Sequence, residues 1–572
     1  MEQEPYDSAV LLVHGIGEQQ QGATLKESGD ALVAAARDWF GAASVEDLPL
    51  DHGPADGPAQ RRALLVTRPD GEPLRVLLAE SHWAAEVSAP PWRALMAWLR
   101  DTVPFLVQRA VDAPMRRSSH ALDGARRATR IRLGALRIVQ NVLAVTFSLA
   151  VLVLLFAIGL LSGLGPVRER LFGADSARAF PIWARLLAVL TFIPIGLRLG
   201  HGASGPFEIV ALVLAATFPT VVLLSLSERL RGLVVGFIGD SYALLHEDGS
   251  HHAIVDRVRT DLARLEADVP GTPVVIAAHS QGAEIARRVL HERPLDAGPV
   301  AGLVTFGAGI AKLNAVDHLR DQSRRSWRAF GLRWASAVCA MSAVAVVVAA
   351  VLMADGRPSP ASLYIVALAV ALAAALIALA AVTLGRARGQ LRDIVGIRID
   401  GAALGIDERQ LAHWTDLHAS RDPVSEGRLP VDECTRGFSR TIVNRRSLAL
   451  DHVAYWRNHA GFLTAVALEI ERVAGEHANP ARPPALADAE RTRARTIEAI
   501  GPLRVATVAL AGGLVAALGP GVLAAVAIAA AAGGLIVGIP IALHALAEAR
   551  IRALMRAHRS AAVAERRPLV AA

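Results

Sequence analysis

Cysteine is scarce in this chain of 572 residues, and its scarcity argues against two kinds of site. One of the two cysteines, Cys339, lies inside an apolar run, and the other, Cys434, lies far away in a polar region. A disulfide framework or a thiolate zinc site needs several cysteines at short spacings. We therefore expect neither, and no cluster of His, Cys and Asp elsewhere has the spacing of a metal site.

Motifs for nucleotides and nucleic acids are also missing. The Gly-rich segment 14–17 lacks a third glycine at the distance that a dinucleotide fingerprint needs, and no phosphate-binding loop is present. The formal net charge is +7 and the pI is about 10.1, but there is no zinc finger or basic reading helix. The start, "MEQEPYDSAVLLVHGIG", is acidic, unlike a signal peptide. We expect no cofactor, no metal and no nucleic-acid partner.

Apolar residues are what the sequence has in excess. They make up 53% of the chain, with a mean hydropathy of +0.37, which indicates membrane spans. A spanning helix needs about 20 mostly apolar residues. The sequence predicts about six spans, at 137–161, 207–226, 334–354, 363–384, 505–518 and 522–546. For 505–518 a buried helix of a soluble core remains an alternative.

Arginine indicates the side of the membrane. It clusters before 137–161, on both sides of the pair 334–384 and after 522–546, and such flanks face the cytoplasm. If the polar blocks on either side of 137–226 form one domain, an even number of crossings must separate them. The short apolar segment 186–199 is therefore predicted to be re-entrant or interfacial. We expect an integral protein of a bacterial-type inner membrane with a cytoplasmic polar domain.

The polar remainder alternates strands with helices. Strands are predicted at 8–14, 273–278, 300–306 and 411–417, with two more within 61–81. Helices are predicted at 24–40, 92–111, 251–267, 280–291 and 452–473. This alternation predicts an α/β fold with a mostly parallel sheet flanked by helices. The expected organisation is one core in three parts (1–135, 227–330, 386–478), membrane insertions at 136–226 and 331–385, a membrane pair at 500–547 and a basic tail at 548–572.

The segment 273–290, "PVVIAAHSQGAEIARRVL", places Ser280 between a buried strand and a helix. Such a tight turn needs small neighbours, and Ala278 and Gly282 stand two residues before and after the serine. Glycine is the usual residue at the position of Ala278. The backbone N–H of Gln281 is expected to point to where an oxyanion would form. The pattern predicts a nucleophile elbow.

Five segments together resemble a known superfamily. They are "VLLVHGIG" at 10–17, "AAHSQGAEIA" at 277–286, "VTFGAG" at 304–309, "HASRDPVS" at 418–425 and "LALDHVAYW" at 448–456. On these motifs the polar domain resembles the lipase- and esterase-like members of the α/β-hydrolase superfamily. The resemblance implies Ser280 as nucleophile, Asp422 as acid and His452 as base. It also implies an oxyanion hole built by backbone N–H groups from Gln281, Gly15, Ile16 and Gly17.

Several residues compete for these roles. Residues of the same type lie nearby in the sequence. The alternatives for the acid are Asp416 and Asp432, and the alternatives for the base are His413, His418 and His459. Asp422 could instead only cap a turn before Pro423. His452 is expected to open a helix with Asp451 as its N-cap. His14 is expected to shape the oxyanion loop rather than to act as a base.

Ser, His and Asp in this order fit one chemistry. A serine hydroxyl needs an imidazole to take its proton, and the imidazole needs a carboxylate behind it. We expect a membrane serine hydrolase that cleaves a carboxylic ester or thioester through an acyl-enzyme. Its expected partners are membrane lipids and an ester or lipid substrate. The alternatives are a catalytically inactive hydrolase-like membrane scaffold or binding protein, and transfer of the acyl group to an acceptor other than water.

Overall fold

The computed structural model describes about half of the chain. The described residues are 5–16, 20–39, 44–48, 60–67, 73–87, 90–119, 239–245, 248–319, 323–353, 360–395, 401–444 except 421, 423 and 426, and 451–475, with isolated positions from 138 to 148 and at 553. Contacts divide the chain into two compact units. The first comprises Met1–Val87, Asp248–Asn314 and Arg398–Ala572, and the second comprises Ser88–Glu247 and Ala315–Ile397.

The first unit contains an eight-stranded mixed sheet. Its strands are β1 (Ser8–Val13), β2 (Ser44–Leu48), β3 (Arg61–Thr67), β4 (Pro73–Ser81), β5 (Val274–His279), β6 (Gly302–Phe306), β7 (Trp414–Ala419) and β8 (Phe438–Ile442). They lie in the order β2-β3-β4-β1-β5-β6-β7-β8. Neighbours from β4 to β8 run parallel, whereas β2, β3 and β4 pair antiparallel. The α/β class is confirmed, with an antiparallel addition at one edge.

Residues 239–245 are helical, and nine further α-helices have both ends within the described ranges. They are α1 (Ala23–Trp39), α2 (Trp92–Ser119), α3 (Asp248–Asp268), α4 (Gln281–His291), α5 (Ile310–Leu319), α6 (Ser323–Met353), α7 (Pro360–Val395), α8 (Gly401–Leu404) and α9 (Thr464–Val473).

Helices cover both faces of the sheet. Adjacent residues of a strand point to opposite faces of the sheet. Glu80 and Ser81, at the end of β4, accordingly contact different helices. The Glu80 carboxylate accepts from the backbone N–H of Leu25 in α1 at 3.3 Å, whereas the Ser81 hydroxyl donates to Asp261 in α3 at 2.8 Å. All six residues of β1 are buried, which explains why its sequence is continuously apolar rather than alternating.

Parallel strands bring four loops to one edge of the sheet. The strands β1, β5, β6 and β7 run in the same direction, so their carboxyl ends meet there. The residues that follow these four ends include Gly15, Ser280, Gly307 and Asp422. The topology therefore gathers the segments that the sequence analysis singled out.

Two predicted elements were wrong at their boundaries. The strand predicted at 411–417 begins only at Trp414, because the backbone N–H of Leu411 still closes a turn on the carbonyl of Asp407. Leu411 makes an isolated bridge with Val300. Two strands, β2 and β8, were not predicted.

The helix predicted to begin at His452 begins instead at Thr464. A 3-10 turn at Tyr455–Arg457 and a π-helical turn at His459–Leu463 precede it. The side chain of Asn458 caps this π turn at Gly461 and also donates to Asn444, which fixes the irregular path. Asp451 is not an N-cap: it is buried, and its carbonyl accepts from Asn444.

The second unit contains α2, α6 and α7. In its described part, two stretches are long and apolar enough to cross a membrane, Trp327–Val347 in α6 and Leu363–Ala387 in α7. Only 28% and 17% of these stretches are buried, whereas a core helix of a soluble protein is mostly buried. Ser336, early in α6, donates to the carbonyl of Ala380, late in α7, as in an antiparallel pair.

The other predicted membrane segments lie outside the described residues. They are 207–226, 505–518 and 522–546, together with the segment 186–199. The predicted span 137–161 is described only at isolated positions up to 148.

Candidate active site

Ser280 occupies a strained turn between β5 and α4. Its φ is 56° and its ψ is −120°, and among the described residues it alone has a positive φ without being glycine. Such a conformation costs on the order of 1–3 kcal/mol and persists only where surrounding contacts impose it. The N–H of Ser280 donates to the carbonyl of Phe306 at 3.0 Å, and its carbonyl accepts from Gly309 at 3.1 Å. The segment after β6 thus holds the turn.

Two glycines make room for this turn. A Cβ on Gly282 would lie 2.3 Å from the backbone oxygen of His14, and a Cβ on Gly15 would lie 2.8 Å from the Cβ of Ser280. The start of α4 therefore packs directly on the end of β1. Ala278 is buried within β5, in register with Val13, so alanine fits where glycine is usual.

The structure brings Ser280, His452 and Asp422 into one hydrogen-bonded chain. The Nε2 atom of His452 lies 2.9 Å from the Oγ of Ser280. Its Nδ1 atom lies 3.0 and 3.1 Å from the two carboxylate oxygens of Asp422. All three side chains are buried.

The charge of Asp422 fixes the direction of these hydrogen bonds. Burial alone would raise the pKa of Asp422, but hydrogen bonds from His452, Tyr455 and the backbone N–H of Val424 outweigh it and lower the pKa to about 2. A carboxylate only accepts, so Nδ1 of His452 carries a proton and donates it. In the neutral imidazole Nε2 is then free to accept from the hydroxyl of Ser280.

His279 holds His452 from the other side. Its Nε2–H donates to the backbone oxygen of His452 at 3.0 Å, and the two rings stack with centroids 4.8 Å apart. Burial, followed by the proximity of His452, lowers the pKa of His279 to about 3. His279 is therefore neutral at physiological pH and adds no positive charge beside the base.

Gly307 lies against the acid and the base. Its φ is +58°, and a Cβ there would stand 2.9 Å from an oxygen of Asp422 and 3.1 Å from Nδ1 of His452. Gly307 is the first glycine of "VTFGAG". Both its backbone conformation and its close approach to Asp422 and His452 require a glycine at this position.

The predicted oxyanion loop lies beside the serine. Gln281 is the first residue of α4 and is buried, and Gly15 and Ile16 follow β1. Gly17 lies outside the described residues.

His14 shapes the start of this loop. Its Nδ1 lies 2.8 Å from the oxygen of Gly15, and its ring stacks on Trp83, whose Nε1 donates to the oxygen of His14. Burial lowers the pKa of His14 to about 4, so it stays neutral.

The competing acids have other partners. Asp416 is buried in β7 and accepts from Thr305 and Ser439, whereas Asp432 forms a surface ion pair with Arg428.

The competing histidines also lie elsewhere. His413 contacts Glu469 at 2.9 Å, His418 contacts Thr441 at 2.7 Å, and His459 begins the π turn.

Sequence reasoning missed Tyr455, His279 and Gly307. The signal for each was present, since Tyr455 follows His452 by three residues, His279 precedes Ser280, and Gly307 lies in a quoted motif. Within the described ranges, no group of three or more His, Cys, Asp and Glu side chains is arranged to hold a metal ion.

No protein-family model, curated protein or solved structure matches this chain. The interpretation of the site therefore depends on its own geometry.

Proposed function

We propose that the chain is a serine hydrolase of the α/β-hydrolase type that cleaves a carboxylic ester or thioester. The observation that carries the proposal is a continuous series of hydrogen bonds. Nε2 of His452 lies 2.9 Å from Oγ of Ser280, and Nδ1 of His452 lies 3.0 Å from Oδ1 of Asp422. Nucleophile, base and orienting acid within hydrogen-bond reach are the signature of an activated serine. The positive φ of Ser280 supports the same role, because strained non-glycine turns cluster at functional sites.

The proposed reaction has two halves. In the first, Nε2 of His452 takes the proton of Ser280 as its Oγ attacks the substrate carbonyl carbon. His452 then gives that proton to the departing alcohol or thiol, and the acyl group remains on Ser280. In the second half, water loses a proton to His452 and attacks the acyl carbon. His452 then returns this proton to the Oγ of Ser280 as the bond between Oγ and the acyl carbon breaks, and the carboxylic acid leaves. Asp422 stays ionised and stabilises the transient imidazolium.

The tetrahedral intermediate needs hydrogen-bond donors for its oxyanion. The backbone N–H groups of Gln281 and Ile16 are the proposed donors, together with those of Gly15 and Gly17. Helix α4 begins at Gln281, so its positive end adds to the stabilisation.

We propose an integral-membrane location and an ester or lipid substrate. The support is the apolar surface of α7, where Tyr364 is 79% exposed and Leu368 is 72% exposed. Large exposed apolar surfaces of this kind need lipid or protein to cover them. Arginine flanks favour a cytoplasmic site.

A fluorophosphonate probe tests the catalytic proposal, because it reacts covalently with activated serines. We expect labelling of the wild type and of Ser420→Ala, but not of Ser280→Ala. Ser420 is a matched control: it lies two residues from Asp422, and its hydroxyl has no hydrogen-bond partner to lose among the described residues. Equal labelling of wild type and Ser280→Ala, or no labelling of either, would overturn the proposal in favour of an inactive scaffold.

A further inference from the structure

Tyr455 is buried beside Asp422 and joins two parts of the site. Its hydroxyl donates to Oδ2 of Asp422 at 2.7 Å and accepts from the backbone N–H of Ala419 at 2.8 Å. Only 1% of the residue is exposed. Both hydrogen-bonding functions of the phenol are thus used within the protein.

The two oxygens of Asp422 are held by different groups. Oδ1 accepts from the backbone N–H groups of Val424 and Ser425 at 2.7 and 3.2 Å, so its own loop holds it. Oδ2 accepts from Tyr455, and His452 lies almost equally far from both oxygens. The terminal torsion of an aspartate is broad, so without the phenol the carboxylate can turn away from the imidazole.

The same hydroxyl also links the two segments that carry the acid and the base. Ala419 is the last residue of β7, which leads to Asp422, whereas Tyr455 follows His452 by three residues in the turn that carries the base. The ring cannot easily move, because it packs against Phe306 and Phe462 with centroids 5.5 and 5.6 Å apart. A side chain locked in this way can hold a neighbouring group in a fixed geometry.

We propose that Tyr455 is a positioning residue of the site, which fixes the orientation of the Asp422 carboxylate and its distance from His452. This inference rests on the proposed hydrolase function. Loss of the hydroxyl makes the carboxylate mobile. The imidazole of His452 then loses a partner of fixed geometry, which slows the chemical step.

The test is Tyr455→Phe, which keeps the ring and removes only the hydroxyl. We expect kcat to fall about 10–100-fold, as small misplacements of catalytic groups do, with KM nearly unchanged. The fluorophosphonate probe still labels Ser280, but more slowly. An unchanged kcat and an unchanged rate of labelling would overturn the inference. Failure of the wild type to label would instead overturn the hydrolase proposal.

Phe462→Leu is the matched control for a merely structural role. Phe462 is fully buried and packs on the Tyr455 ring without a polar group of its own. We expect it to lower stability more than Tyr455→Phe does and to lower kcat less. If it reproduces the full fall in kcat, Tyr455 acts only through packing and the inference is wrong.

A fluorinated tyrosine at position 455 keeps the test decisive if Tyr455→Phe does not fold. Ring fluorines make the phenol a stronger hydrogen-bond donor with little change of shape. Because the hydrogen bond to Asp422 is kept, kcat is then expected to stay close to that of the wild type. A fall in kcat as large as that expected for phenylalanine would contradict the proposed positioning role.

Discussion

The backbone oxygen of His14 lies against Gly282 so closely that a Cβ on that glycine would stand 2.3 Å from it. This contact presses the first turn of α4 onto the end of β1. It thereby keeps Ser280, at the start of α4, beside Gly15 in the neighbouring loop. The geometry of the serine and of the predicted oxyanion donors depends on this one approach between two segments far apart in sequence.

Gly282→Ala is therefore expected to damage both stability and activity. The added methyl would meet two backbone oxygens, those of His14 and Val13, which cannot move like the end of a flexible side chain. Overpacking of this kind costs about 1–3 kcal/mol. Chemical unfolding should show that loss, and fluorophosphonate labelling should fall sharply.

Gly249→Ala in α3 is the control for this substitution. A Cβ there meets nothing within 4 Å. Alanine favours a helix over glycine by roughly 1 kcal/mol, so this variant should be as stable as the wild type or slightly more stable. Equal effects of the two substitutions would contradict the packing argument.

Substitution of Asp422 and, separately, of Asp432 tests which of these two carboxylates is the acid. Asp422→Asn removes the negative charge that holds the Nδ1–H tautomer of His452, and we expect kcat to fall about 10³–10⁴-fold. Asp432→Asn breaks only a surface pair with Arg428 and should leave kcat unchanged. Steady-state kinetics on an ester that the wild type cleaves gives the answer. A larger loss from Asp432→Asn would mean that the acid has been assigned wrongly.

The strain at Ser280 can be measured through two inactive variants. Alanine at position 280 keeps the unfavourable positive φ, whereas glycine adopts it without steric cost. A protein with glycine at a given position is usually less stable than one with alanine there. At position 280 we expect the reverse, with Ser280→Gly more stable than Ser280→Ala by about 1–2 kcal/mol. The comparison needs only denaturant unfolding. A more stable alanine variant would show that the turn is not strained.

The sequence could predict the central strands and the site residues because their signals are local. The apolar run at 273–278 and the small residues around Ser280 specify a strand, a tight turn and a helix within a few residues. The parallel direction of β5 and β7 then brings Ser280 and Asp422 to one edge without further information. Recognition of those strands was sufficient to predict where the loops would meet.

The missed features depend on contacts between distant segments. The edge strand β8, "FSRTI", is mostly half-exposed and has few apolar residues, so only pairing with β7 defines it. The segment after His452 has helix-forming residues, but the contact between Asn458 and Asn444 diverts it into short turns. That path carries Tyr455 beneath Asp422.

Two histidines of lowered pKa predict how stability depends on pH. The pKa of His279 is about 3 in the folded protein and that of His14 is about 4, against about 6.5 for an unfolded histidine. Between these values the unfolded chain binds more protons than the folded one, so the free energy of unfolding falls as the pH falls below about 6.5. Asp422, with a pKa of about 2, extends the loss in the same direction between about pH 4 and 2.

His279→Gln isolates one of these contributions. Glutamine can still donate to the backbone oxygen of His452 but cannot become charged. The slope of unfolding free energy against pH between about 6 and 4 should therefore be shallower by up to about 1.4 kcal/mol per pH unit, the value for one proton. If His279→Gln has the wild-type slope, His279 must already carry a proton in the folded state, and the imidazole beside the base would be a cation rather than a neutral support.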